Sequence, residues 1–144
     1  MLVKDAKKIT ESLTRTSKMP GLSYSLPAWA CQTGSKLRKI PTSPCFGCYA
    51  MKNNYIRYPA IKAAQYRRLD AITNPLWVEA MVVQIKRQKW FRWHDAGDLQ
   101  SVEHMQKIIE VCKLTPDTQH WLPTQERQYL PKPEDVPANL IIRL

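Results

Sequence analysis

Three cysteines gather in one short stretch of the chain: Cys31, then Cys45 and Cys48 in the run Cys-Phe-Gly-Cys-Tyr-Ala. A C-x2-C pair brings two thiolates within reach of one metal centre. Thirteen residues separate Cys31 from Cys45, so the third thiol completes a tripod if that segment folds back. The segment carries Lys36, Arg38 and Lys39, and nearby positive charge favours thiolate over thiol. Structural zinc takes four protein ligands, and here the single C-x2-C has no partner knuckle. A cubane accommodates three cysteines and one unusual or exchangeable ligand. The spacing therefore favours a [4Fe-4S] cluster on Cys31, Cys45 and Cys48 with the fourth position open, and zinc is the alternative. Cys112, His94 and His120 are outside candidates for that position. Cys112 falls in helical register with Val102, Met105 and Ile109, where a lone cysteine is usually a small buried hydrophobe.

A second polar group follows two predicted strands. His94, Asp95 and Asp98 come after the aromatic run Trp90-Phe91-Arg92-Trp93, and Thr124 and Glu126 come after Gln119 to Pro123. In parallel α/β architecture, ligand sites lie beyond the carboxyl ends of strands. If the two strands are neighbours, these side chains share one rim that faces the open side of the cluster. His94, Asp95, Asp98 and Glu126 are then candidate catalytic residues, with Asp98 or His94 handling protons. Each also has a plain structural use, since Asp98 or Ser101 can cap the next helix and Gly97 can serve the turn.

The elements that must position these groups are readable in outline. Residues 1–20 read as a loose basic lead-in with at most one short helix. Leu22 to Ala30 alternates briefly like a strand until Pro27 ends the pairing. Gly34, Pro41, Pro44 and Gly47 punctuate the cysteine loop, which predicts irregular backbone with free N–H groups for cluster sulfurs. Pro59 opens a helix through Ile61, Ala64, Leu69 and Ile72, and a second follows with Trp77, Met81 and Ile85 on one face. After the Trp90 strand, Ser101 is placed as the N-cap of a third helix, with Glu103 early and Lys113 late to match its dipole. Gln119 to Pro123 and Asn139 to Leu144 are further strands, and Gln125 to Leu130 suits a helical turn. Strand, helix, strand, connection, strand is the grammar of a single-domain α/β protein with a small parallel βαβ scaffold.

Charge narrows the partners. The net charge is +10 over 144 residues, and residues 36–92 hold twelve Lys or Arg against two acids. Such a basic middle suits nucleic acid or a small anionic ligand. The nucleic-acid candidates are Lys36, Arg38, Lys39, Arg67, Arg68, Lys86, Arg87 and Lys89, with Tyr55, Tyr58 and Tyr66 available for stacking; the plain alternative is a solvated basic face. The N-terminus has no apolar h-region and no run approaches a membrane span. That points to a reducing cytosol, where four cysteines serve as ligands or free thiols rather than disulfides.

Three ordered motifs also carry a resemblance. Ser25-Leu26-Pro27-Ala28 before Cys31, Cys45-Phe46-Gly47-Cys48-Tyr49-Ala50, and Arg92-Trp93-His94-Asp95-Ala96-Gly97-Asp98 resemble the phage-encoded family known as gene product 88, from about Leu22 to the C-terminus. The resemblance implies a viral iron–sulfur protein acting in the cytoplasm of an infected bacterial host. A related phage signature, Cys-x-x-Cys-Tyr-Ala, looks like that of radical S-adenosylmethionine proteins, which implies a scaffold resembling part of a β/α barrel. Those enzymes use C-x3-C-x2-C, whereas this chain spaces its first two cysteines by thirteen residues and shows no glycine-rich strand of the S-adenosylmethionine type. The chain stops after its third predicted strand, as a naturally short or truncated version of that fold would.

Overall fold

A computed structural model describes residues 1–15, 20–51 and 58–144. Its centre is a five-stranded sheet in sequential order: β1 (Thr14–Arg15), β2 (Leu22–Tyr24), β3 (Trp90–Trp93), β4 (Gln119–Pro123) and β5 (Leu140–Arg143). β1 pairs antiparallel with β2, and the other neighbours are parallel. The α/β scaffold with parallel βαβ units expected from the sequence is therefore present.

Five helices accompany the sheet among the described residues: α1 (Val3–Thr10), α2 (Gln32–Leu37), α3 (Pro59–Ala71), α4 (Trp77–Ile85) and α5 (Val102–Leu114). Pro59 stands in the first turn of α3, where its missing N–H costs nothing. The Ser101 side chain caps α5 by accepting from the His104 N–H at 3.0 Å. α3 and α4 bridge β2 to β3, α5 bridges β3 to β4, and short 3-10 turns at Arg127–Tyr129 and Pro133–Asp135 lead to β5.

The first part of the lead-in, α1, is not loose. α1 packs along α4, Ala6 is fully buried, and Gln84 donates to Thr10 Oγ1 at 2.8 Å. Its sequence reads as polar because one turn-to-turn stripe, Ala6 and Thr10, suffices to bury so short a helix. The cysteine loop is also less irregular than expected, since α2 follows Cys31 directly.

The core lies on one side of the sheet. Phe91, Trp93, Leu122 and Leu140 meet Trp77, Met81 and Ile85 of α4 and Met105, Ile108 and Cys112 of α5. Aromatic edges organise it: Tyr24 meets Trp77 edge-on at 5.8 Å, and Phe91 meets Trp93 at 4.8 Å. Such pairs add about 0.5–1.5 kcal/mol each beyond the area they bury.

Candidate metal centre

The path to Cys31 starts at the end of β2. Leu26 donates its N–H to the Ala96 carbonyl at 2.9 Å, which ties the strand exit to the turn after β3. Gly97 makes this approach possible. It has φ +83°, and a Cβ there would stand 2.5 Å from Leu26 Cβ, so a side chain is excluded by both conformation and space. Pro27 then ends the pairing, Ala28–Ala30 form a 3-10 turn, and Cys31 precedes α2.

Gly34, one turn into α2, leaves room for the thiols. A Cβ on Gly34 would stand 3.1 Å from Cys31 Cβ, 3.8 Å from Cys31 Sγ and 3.7 Å from Cys45 Sγ. The Cys31 and Cys45 sulfurs thus border the same small space. Cys48 packs against Ala28, Ala50 and Ala96, beside the same strand end. All three are half-buried free thiols, while Cys112 is fully buried in the main core. Sequence register placed Cys112 there, and the structure agrees.

The electrostatics run against the expectation that basic loop residues lower the thiol pKa. Burial is the largest influence on Cys31, and Asp98, Cys48 and Cys45 add to it, so its pKa is pushed up to about 12. Cys45 is raised by burial, then by Cys48, Asp98 and Glu126. Arg38 opposes both shifts but is outweighed. With its pKa raised in this way the Cys31 thiol is protonated at neutral pH, and a bound cation or cluster would have to displace that proton. Among the described residues no three His, Cys, Asp or Glu side chains are close enough to hold a single metal ion.

The polar rim acts as a fastening. Asp98 Oδ1 accepts from the Leu99 N–H at 2.7 Å and from the Thr124 hydroxyl at 2.5 Å, and Oδ2 accepts from the Gln125 N–H at 2.8 Å. One carboxylate thereby clamps the ends of β3 and β4 together. Glu126, fully buried, reaches to α2: Oε1 accepts from the Thr33 N–H at 2.6 Å, and Oε2 accepts from the Thr33 hydroxyl at 2.8 Å and from Gln128 at 2.6 Å. A carboxylate on the first turn of a helix is well placed for the free N–H groups there. Asp95 accepts from Ser23 Oγ at 2.9 Å and joins β2 to β3. Asp98, Thr124 and Glu126 therefore meet at the ends of β3 and β4, Asp95 sits with Ser23 at the β2–β3 seam, and the Glu126 bonds to Thr33 hold α2 to the sheet.

The histidines stand apart from the thiols. His94 has φ +61°, which turns its ring back into the core, 5.2 Å from the His104 ring. Only 3% of it is exposed. Burial holds its pKa well below the usual histidine value, and no hydrogen-bond partner is found for either ring nitrogen among the described residues. It is no part of the polar rim, contrary to its reading as a catalytic residue or fourth ligand. His120 is fully engaged: Nδ1 accepts from Trp93 Nε1 at 3.1 Å, and Nε2 lies 2.8 Å from Thr115 Oγ1. Its candidacy as a ligand fails for that reason.

The basic candidates separate as well. Arg68 is 5% exposed and donates to the Ser12 carbonyl at 2.9 Å and the Ser25 carbonyl at 3.4 Å. It ties the lead-in to β2 and is not available to nucleic acid. Arg67 pairs with Glu11 at 2.6 Å on the surface. Arg38 turns into the cysteine segment, donating to Ser35 Oγ at 2.9 Å. Lys36, Lys39, Lys86, Arg87 and Lys89 are exposed, as are Tyr58 and Tyr66. Tyr55 lies outside the described residues.

Three contributors escaped the sequence reading: Thr33, Gly34 and His104. Gly34, three residues after a candidate ligand, carried the one usable signal. Comparison with curated proteins finds no match, and comparison with solved structures finds none. The model of the Gene product 88 family, a phage gene-product family, matches residues 1–144, and the chain belongs to that family.

Proposed function

We propose that this member of the Gene product 88 family carries a [4Fe-4S] cluster on Cys31, Cys45 and Cys48, with a fourth iron position facing the strand-end rim. The observation that supports the reading is a set of three half-buried free thiols, two bordering the space above Gly34 and the third packed against Ala96 after β3. Tetrahedral zinc draws its sulfurs to about 2.3 Å from one centre. A cluster spreads its ligands over separate corners, which suits thiols too dispersed to share one ion. When bound, it supplies redox or Lewis-acid chemistry.

The chain's own residues do the positioning. Glu126 fixes α2 and with it Cys31, Asp98 locks the strand ends beneath Cys31 and Cys45, and Gly97 lets Leu26 approach the Ala96 turn. Both oxygens of Asp98 are taken up by the Leu99, Thr124 and Gln125 donors, so its part is to hold the strand ends rather than to meet a ligand. No described helix is long and apolar enough to cross a membrane, and the reading places the protein in the cytoplasm of the infected host, where thiols stay reduced.

The test is EPR of anaerobically prepared, dithionite-reduced protein. A reduced-cluster signal is expected, and it should shift when a small carboxylate-bearing molecule such as S-adenosylmethionine or citrate occupies the open position. Stoichiometric zinc with no acid-labile sulfide would overturn the reading. A cluster signal indifferent to every anion would close the fourth position and remove the proposed ligand site.

A further inference from the structure

A largely parallel sheet is normally covered on both faces, because its crossovers lay helices on each side. Here α4 and α5 cover one face, and the strand residues that point the other way reach solvent. Along β3, β4 and β5 these are Trp90, Arg92, Gln119, Trp121, Ile141 and Arg143. Trp90 is 44% exposed, Trp121 38% and Ile141 59%. Register places them in rows: Trp90 faces Gln119 across the β3–β4 ladder, Arg92 faces Trp121, and Trp121 faces Ile141.

Both indoles already carry a cation. The Arg92 guanidinium lies 4.9 Å from the Trp121 ring centre, and the Lys89 ammonium lies 4.6 Å from that of Trp90. Arg143 adds a third positive charge from β5, and no Asp or Glu occupies these outward strand positions. Two copies of the chain meeting through this face would bring Lys89 and Arg143 of one against those of the other, so self-association is opposed by charge. A polyanion is favoured, and flat indoles in strand register suit one whose bases are unpaired.

We propose that this sheet face is a stacking platform for single-stranded nucleic acid: bases stack on Trp90 and Trp121, and Lys89 and Arg143 meet the phosphates. The Arg92 guanidinium lying on the Trp121 indole extends the flat surface. The platform is separate from the exposed basic residues of α2, and Lys89 is the candidate the two readings share. It is independent of the cluster, whose presence is read by iron content.

Anisotropy of a fluorescein-labelled oligothymidylate, titrated with the full chain, tests the proposal. Binding should weaken as salt rises. Trp121→Ser and Trp90→Ser should each lose about 5- to 100-fold in affinity, while Trp121→Phe retains most of it. The duplex of the same length should bind more weakly, because its bases are already stacked. Lys36→Ala/Lys39→Ala serves as the control for basic charge away from the sheet, and circular dichroism and iron content confirm that each variant is intact. Equal binding of duplex and single strand, or Trp→Ser variants that bind like the parent while the Lys36/Lys39 variant loses binding, would overturn the platform. A concentration-dependent dimer abolished by Ile141→Asp, with no oligonucleotide binding, would assign the face to a second copy instead.

Discussion

At the scale of single residues, the account rests on small groups that make room and on buried ones that fasten. Gly34 is the sharpest instance. Replacing it with alanine inside a helix gains up to about 1 kcal/mol of propensity, but the new methyl would stand 3.1 Å from Cys31 Cβ. The two effects are opposed and similar in size. Gly34→Ala should therefore leave the unfolding midpoint nearly unchanged while reducing iron per chain, which metal analysis beside a denaturant curve will separate. Cys112 makes the contrasting case. Cys112→Ala should cost on the order of 1 kcal/mol in packing and retain full cluster content. Loss of iron in that variant would make it a fourth ligand and close the open position.

Residue types and spacing made much of this legible. Cys31, Cys45 and Cys48 stood out by chemistry, and helical register kept Cys112 among Val102, Met105 and Ile109. The fate of His94 was not legible, because a positive φ at a non-glycine residue reverses the face that strand alternation assigns. Nor was that of Arg68, since a run of Arg and Lys gives no sign of which guanidinium will find buried carbonyls.

Among the elements, strand ends, cysteine segment and helices are joined by side-chain carboxylates rather than by continuous backbone pairing. The convergence of Asp98 and Glu126 followed from the rule that parallel strands present their carboxyl ends together. Their use as clamps depends on Thr33, Gln125 and Gln128, which only the fold brings near. Glu126→Gln tests the clamp. One amide half cannot accept, so either the Thr33 N–H contact at Oε1 or the Thr33 hydroxyl and Gln128 donations at Oε2 are lost, and a buried donor without a partner costs about 1–3 kcal/mol. The expected outcome is a lower thermal midpoint together with poorer cluster retention, and the sheet signal in circular dichroism should be unchanged at 25 °C. A variant with parental iron content and midpoint would show that Glu126 fastens nothing of consequence.

For the whole molecule, the buried histidines set a pH limit. Burial holds the His120 pKa down to about 4 and that of His104 down to about 3, and also holds that of His94 well below its ordinary 6.5. The unfolded chain binds protons at these positions first, so stability is full above about pH 6.5 and falls as pH drops toward 4, by up to about 1.4 kcal/mol per pH unit for each histidine. Denaturant midpoints measured from pH 7.5 to 4.5 should decline steeply only in the lower part of that range. His120→Gln should flatten the decline, even if it costs stability at neutral pH. The order of strands, helices and turns was readable from Pro59 onward through strand alternation, the Pro59 start and the Ser101 cap, although α3 buries Gln65, Arg68 and Ala71 rather than a hydrophobic stripe. The lead-in was not, because the buried stripe of α1 is only Ala6 and Thr10, set among lysines, and it is α4 and Tyr24 that it meets.

The central claim, a cluster on three cysteines, is tested most directly by iron and acid-labile sulfide per chain in anaerobically purified protein, compared with Cys31→Ala, Cys45→Ala and Cys48→Ala. The account predicts about four of each in the parent, a large loss in every one of these three variants, and none in Cys112→Ala. Parent protein that carries zinc or no metal, or that keeps its iron when Cys31 is removed, would contradict it.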